Sequence, residues 1–249
     1  MSHTEYLPRQ LDFIGLGQMK CGSTALWEYI LAHPDVYSEH YKQHGVPVKE
    51  SFFYTTPPKN LHTERIWNWK CCIEKAPLDK LVGEFTVHNM DHPDHLYHIK
   101  EHSPNARLIA VLRNPTDRTY SQWNWIYNQN SKWDVRIETQ LRNNINGLVE
   151  KSRYAQQIKA CLHFFNPEQI MFIKYEDFKN NNKDTVENVL THIGLSLSKY
   201  NYNPIQATVK KYLEPLHEQT YHTIASHLHD EICEIEDLLG WDCSDWKVK

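Results

Sequence analysis

Nowhere in the 249 residues do about 18 consecutive apolar side chains occur, so no transmembrane helix is expected. Residues 1–10 lack the apolar core of a secretion signal, and the expectation is a soluble, cytoplasmic protein with no membrane partner. Long basic runs are missing too, and the formal net charge is −4, which argues against a general nucleic-acid surface. A polyanionic partner would need a local basic groove, and the global charge leans toward a small acceptor. The six cysteines, at 21, 71, 72, 161, 233 and 243, form no Cys-x-x-Cys pair and no dense framework, so reduced thiols are expected. There are no repeats and no low-complexity tract. The length suits one domain, residues 1–249, with a single core.

What is present alternates between two periods. Apolar runs at 12–16, 36–38, 81–85, 107–112 and 169–174 read as strands, and helical patterns occupy 23–32, 93–102, 115–127, 137–146 and 152–165. Such alternation predicts an α/β fold, a three-layer αβα arrangement with a central parallel sheet. Residues 54–59 and 197–208 read as long loops, and 221–239 as a final amphipathic helix with Ile224, Leu228, Ile232, Ile235 and Leu239 on one side.

The richest junction is Gly17 to Thr24, where a buried strand ends, a turn closes on Gly22 and a helix starts near Ser23. A helix start offers unpaired N–H groups and the positive end of its dipole, and Ser23 and Thr24 add hydroxyl donors. The spacing from Gly17 to Gly22 fits G-x-x-x-x-G, but Ser23 stands where a P-loop kinase needs lysine. The lysine of this loop is Lys20. A second strand ends in Arg113-Asn114-Pro115 and breaks into a helix carrying Asp117, Arg118 and Ser121. Enzymes of nucleoside triphosphates often put an Mg²⁺-holding aspartate at such a strand tip, whereas arginine repels metal and grips phosphate through a planar fork. Ligands of open parallel sheets sit beyond the carboxyl ends of the strands, where Lys20 and Arg113 both fall.

At these residues the chain resembles the sulfotransferases that use 3′-phosphoadenosine 5′-phosphosulfate (PAPS), and most of all the heparan-sulfate-type branch with its small soluble bacterial relatives. Lys20-Cys21-Gly22-Ser23-Thr24 is similar to the family's 5′-phosphosulfate loop, K-x-G-[ST]-[ST]. Arg113 to Ser121 is similar to its 3′-phosphate motif, R-x-P-x-x-R-x-x-S, and Lys49-Glu50-Ser51-Phe52-Phe53-Tyr54 to its K-E-x-x-[FY]-[FY] segment. Further likeness runs from Ser152-Arg153-Tyr154 through Tyr175-Glu176-Asp177 to Trp246, so it covers about residues 10 to 246.

The resemblance implies a P-loop-like sulfotransferase fold and an in-line, metal-independent transfer of the PAPS sulfuryl group that releases adenosine 3′,5′-bisphosphate (PAP). It implies Lys20 and Glu50 as catalytic residues, the first neutralising the leaving oxygen and the second acting as general base. Lys20, Cys21, Gly22, Ser23, Thr24, Arg113 and Ser121 would bind the nucleotide, with Lys210 and Lys211 standing near the family's closing basic loop. Glu84, His88 and Tyr154 are candidates for the acceptor side, Glu84 being equally readable as a structural carboxylate at a strand end. Phe52 departs from the polar residue that several relatives carry, and Val87, His88 and Asn89 replace their proline and tyrosine. Asp117 and Arg118 read as structural, the latter in a buried pair, and Cys21 as structural too.

A disulfide between Cys233 and Cys243, suggested only by Golgi relatives, is disfavoured by a cytosolic setting. Histidines 88, 92, 95, 98 and 102 have spacing that a zinc site could use, but they read first as surface and boundary residues of the 93–102 helix. Trp123, Trp125, Tyr127 and Trp133 read as packing, with one or two of them lining an acceptor cleft. The competing readings are a P-loop-like kinase or NTPase and a non-catalytic nucleotide-binding scaffold. The acceptor, a secondary-metabolite hydroxyl, an amine or guanidinium nitrogen, a lipid or a sugar, stays open.

Overall fold

The computed structural model describes residues 2–37, 49–129, 137–142, 147–205 and 216–247. Four strands, β1 (Phe13–Gly17), β2 (Gly83–Phe85), β3 (Arg107–Leu112) and β4 (Ile170–Lys174), form one parallel sheet in the order β2-β1-β3-β4. The helices, in chain order, are α1 (His3–Tyr6), α2 (Ser23–Leu31), α3 (Glu64–Lys75), α4 (Pro93–His102), α5 (Pro115–Gln129), α6 (Ile137–Arg142), α7 (Tyr154–Phe164), α8 (Tyr175–Asn180), α9 (Asn182–His192) and α10 (Glu218–Leu239).

Strand side chains alternate between two layers, as a sheet buried on both faces requires. Ile14, Leu16, Leu108, Ala110 and Leu112 pack on one face against Ile66 and Trp69 of α3, Leu96 and Ile99 of α4, Ile158 of α7, and Ile232 and Ile235 of α10. Phe13, Phe85, Ile109 and Val111 point the other way, against Leu26, Trp27 and Ile30 of α2 and Val186, Val189 and Leu190 of α9. Each such fully buried side chain contributes roughly 1.5–3 kcal/mol over leaving it in water. A smaller cluster, Tyr120, Trp123, Ile137, Leu148, Ile224 and Leu228, ties α5 and α6 to α10.

The three-layer α/β arrangement agrees with the alternation read from the sequence; β3 and α4 match their expected bounds, most other ends shift by one to three residues, and residues 143–146 of the helix expected at 137–146 lie outside the described residues. Three further differences stand out. The strand expected at 36–38 is a single bridge from Val36 to Leu81 in the described residues, with residue 38 outside them. Helix α3 was not anticipated, although Ile66, Trp69 and Ile73 share its buried face and Thr63 caps it through Ile66 N–H at 3.4 Å. The final helix starts at Glu218, one turn before the expected 221.

Packing between β1 and β2 leaves no room at two glycines. A Cβ on Gly15 would sit 2.1 Å from the Phe85 ring, and one on Gly83 2.5 Å from the Phe13 ring. Gly15→Ala is expected to destabilise the fold by about 1–3 kcal/mol through overpacking, read as a lower denaturant midpoint with unchanged slope.

Candidate active site

The loop after β1 is held open by backbone geometry. Gln18 N–H continues the ladder to Val111 C=O at 2.8 Å, and its amide reaches Asp91 Oδ1 at 3.1 Å and the Gln157 side chain. Lys20 adopts a left-handed φ of 69°, a conformation that lysine rarely takes and that clusters at functional sites. Gly22, at φ 81°, is the N-cap of α2 and makes no side-chain cap, so the first N–H groups of the helix are not claimed by a capping side chain. A Cβ at Gly22 would meet Tyr175 Cε2 at 2.9 Å, which makes glycine necessary on both counts.

The second cation lands beside this loop. The Arg113 guanidinium donates from Nη1 to the Lys20 carbonyl at 3.4 Å and lies 5.0 Å over the Tyr175 ring. Tyr154 is fully buried, and its hydroxyl donates to the Arg113 carbonyl at 3.2 Å, so it braces the arginine from behind. Asn114 accepts from Thr116 N–H at 2.9 Å and caps α5, with Pro115 in the first helical position. Ser121 is buried on α5, and Trp125, one turn further along the same face, carries the Lys20 ammonium 5.8 Å from its ring. Arg113 also meets Asp117 at 3.6 Å, a partly exposed pair of small worth.

The acidic group comes from the stretch before α3. Glu50 is 29% exposed and sits 3.8 Å from Lys49 Nζ, which in turn donates to Ser23 Oγ at 2.7 Å. Lys49 therefore joins the Glu50 segment to the start of α2, a link across 26 positions that spacing in the sequence does not signal. Thr24 is exposed at the helix start, while Cys21 is fully buried and its thiol is pushed up to about 11 by burial, consistent with a structural thiol.

Other expected residues fall into supporting places. Glu84 is completely buried, bonded by Ser51 Oγ at 3.0 Å, by Thr86 Oγ1 and by Asn89 Nδ2. His88 is fixed to Asp91 Oδ2 at 2.7 Å and stacks on Phe52 at 6.3 Å between centroids. His92 caps α4, and His95, His98 and His102 each bond a backbone carbonyl. Among the described residues, no three His, Cys, Asp or Glu side chains converge as a metal-holding group. Arg118, also fully buried, is not in the pair expected of it. Its donors reach Ser152 Oγ, Gln122 Oε1 at 2.7 Å and Leu148 C=O, all neutral. All six cysteines are free, Cys233 and Cys243 included. Lys210, Lys211 and Trp133 lie outside the described residues.

A cavity of about 520 Å³ lies apart from these groups, between α6 and the start of α10, with Glu138, Leu141, Val149, Thr220 and Ile224 in its wall. Among the described residues no lysine or arginine lines it, and the Glu138 carboxylate in its wall accepts from Thr220 Oγ1 at 2.7 Å.

A parallel sheet with two cationic loops side by side at its carboxyl edge is the arrangement in which open α/β proteins bind their ligands. Residues 11–221 match the sulfotransferase domain family, and the chain belongs to that family. It is 22% identical over 210 residues to the human bifunctional heparan sulfate N-deacetylase/N-sulfotransferase 3, a match covering 77% of this chain and 23% of that protein. It is also 30% identical over 116 residues to the membrane-associated sulfotransferase kil1 of Dictyostelium discoideum, covering 46% of this chain and 22% of that one. The chain thus spans under a quarter of the length of these curated relatives. A crystal structure of a sulfotransferase from Alicyclobacillus acidocaldarius superposes with a TM-score of 0.70 at 20% identity, covering 96% of this chain and 99% of the other, a likeness of fold. Among the described residues no helix is long and apolar enough to cross a membrane.

Two buried charges give the site a pH signature. Burial pushes the Glu84 carboxyl up to about 7, against the pull of Thr86, Asn89 and Ser51, and burial lowers Lys49 to about 8, against Glu50 and Glu84. Glu84 binds its proton more tightly folded than unfolded, so its share of stability is full below the ordinary carboxylate range and is lost as pH rises through about 7. Lys49 binds its proton less tightly when folded, so stability recovers as pH rises from about 8 toward the ordinary lysine range. Each contributes on the order of 3 kcal/mol at most. Unfolding free energy measured against pH is expected to show a trough near neutrality, whose acid side flattens in Glu84→Gln and whose alkaline side flattens in Lys49→Met.

Proposed function

We propose that this chain moves the sulfuryl group of PAPS to a hydroxyl, amine or guanidinium nitrogen of a small-molecule or sugar acceptor, releasing PAP. The observation that carries the reading is the 3.4 Å contact between the Arg113 guanidinium and the Lys20 carbonyl, which brings two phosphate-seeking loops to one edge of the sheet. Bound there, PAPS would supply the sulfuryl group and a phosphate leaving group. Gly22, Ser23 and Thr24 would hold the 5′-phosphate with helix N–H groups and hydroxyls. Arg113 and Ser121 would hold the 3′-phosphate, with Lys210 and Lys211 covering the nucleotide.

Lys20 offsets the charge that grows on the bridging oxygen as its bond to sulfur breaks. Glu50 takes the proton from the acceptor atom as that atom's bond to sulfur forms, so the proton ends on the carboxylate and the electron pair on PAP. Lys49, between Glu50 and Ser23, holds the base close to the nucleotide end of α2. His88, stacked on Phe52, and Trp125, beside the Lys20 ammonium, are the groups proposed to face the acceptor. The positive charge the reaction needs comes from these side chains and the helix end, so the proposal requires no metal. A cytoplasmic setting suits the six free cysteines.

Calorimetry with PAP in the absence of Mg²⁺ is expected to give one site, and Arg113→Ala to weaken it on the order of 10- to 100-fold. Radiolabelled PAPS offered with a panel of phenols, amines, guanidines and sugars is expected to yield a sulfated product. In that assay Lys20→Ala should lower turnover roughly 100- to 1,000-fold. Glu50→Gln should lower it by about as much while binding PAP normally. Mg²⁺-dependent ATP turnover with no PAP binding would overturn the reading in favour of a kinase.

A further inference from the structure

We propose that Glu84 is a positioning residue, whose buried carboxylate fixes Ser51, the residue next to Glu50, and so aims the catalytic base; this rests on reading Glu50 as that base. Glu84 is 0% exposed, so it cannot touch an acceptor. Its partners explain its presence. Ser51, immediately after Glu50, bonds it through Oγ at 3.0 Å and through its backbone N–H, while Thr86 Oγ1 and Asn89 Nδ2 complete the set.

The neighbouring contacts extend the clamp along the loop. Phe85 N–H donates to the Lys49 carbonyl at 3.1 Å, and Phe52 N–H donates to Thr86 Oγ1 at 3.2 Å. Residues 49, 51 and 52 are therefore all fastened to residues 84–86, and Glu50 between them keeps a partly exposed side chain. Phe52 is held at a left-handed φ of 59°, a conformation a bulky residue keeps only where its surroundings impose it. Asn89 spans the other direction, donating also to Gly15 C=O of β1 at 2.9 Å, the strand that leads into the Lys20 loop. One carboxylate thus registers the base loop against the nucleotide loop.

The chemistry calls for a carboxylate. Four donors converge on two oxygens, a set that an ionised acid can accept in full and an amide, with one oxygen, cannot. The ionisable groups facing Glu84 are Lys49 and the buried Tyr54, and only the lysine brings charge at neutral pH. Burial opposes the ionised form and raises the carboxyl to about 7, so the clamp should loosen as pH falls through that value.

The test follows PAP release from PAPS, with water or the acceptor found by screening, in Glu84→Gln, Ser51→Ala and Glu50→Gln. Glu84→Gln is expected to lose on the order of 100-fold in kcat, the cost of a misplaced base, with the PAP dissociation constant within about twofold of the parent. Ser51→Ala should lose roughly 10-fold with the same split. The parent kcat should fall below about pH 7, and that inflection should vanish in Glu84→Gln. Amide exchange across residues 49–54 should speed up in Glu84→Gln, with residues 20–26 unchanged.

An unchanged kcat in Glu84→Gln, an equal loss in PAP affinity, or a kcat loss with the inflection intact would each overturn the inference. If Glu84→Gln does not fold, Ser51→Ala decides alone, and parent-like kcat there overturns it. Parent-like turnover in Glu50→Gln would instead sink the reading of Glu50 as base.

Discussion

The site depends on β1 and β3 being hydrogen-bonded neighbours that run the same way. Phe13 pairs with Arg107 and Ile14 with Leu108, so the two strands deliver their ends, Lys20 and Arg113, to one edge of the sheet. In an antiparallel pair those ends would face opposite edges. The Gln18 N–H bond to Val111 extends the pairing one step past the strand, and the left-handed turn at Lys20 brings its carbonyl within reach of the arginine. Helix α2 then starts from a glycine cap, which adds the partial positive charge of its N-terminus to two full ones.

Around this edge the chain buries more charge than its fold alone would need. Lys49, Glu84 and Arg118 are all withdrawn from water, and the arginine has only neutral acceptors. Desolvation shifts each toward its neutral form, so each lowers stability in its working state. The charges that cost stability lie within or behind the loops that carry Lys20, Glu50 and Arg113. Proteins concentrate such local conflict at functional sites.

The sheet was legible because its strands are buried on both faces and read as unbroken apolar runs ending at turn residues. β3 matches its expected range and β1, β2 and β4 differ by small shifts. The Lys20 and Arg113 loops were legible for a related reason, since glycine and Asn-Pro mark helix starts directly after strands. Helix α3 escaped because Trp67, Lys70 and two cysteines blur a stripe that Ile66, Trp69 and Ile73 do carry. The supporting roles of Lys49, Tyr154 and Tyr175 could not be read from spacing, because each acts across long stretches of chain. Tyr154 reaches Arg113, and Lys49 reaches Ser23. Glu84 was legible only as one of two equal readings, acceptor residue or structural carboxylate, since a Gly-Glu-Phe strand end gives no sign of which carboxylates face inward.

Tyr175 is the first residue after β4, and its ring lies against Gly22 on one side and under the Arg113 guanidinium on the other. An aromatic ring neither stretches nor folds, so it acts as a fixed spacer between the seats proposed for the two ends of the nucleotide.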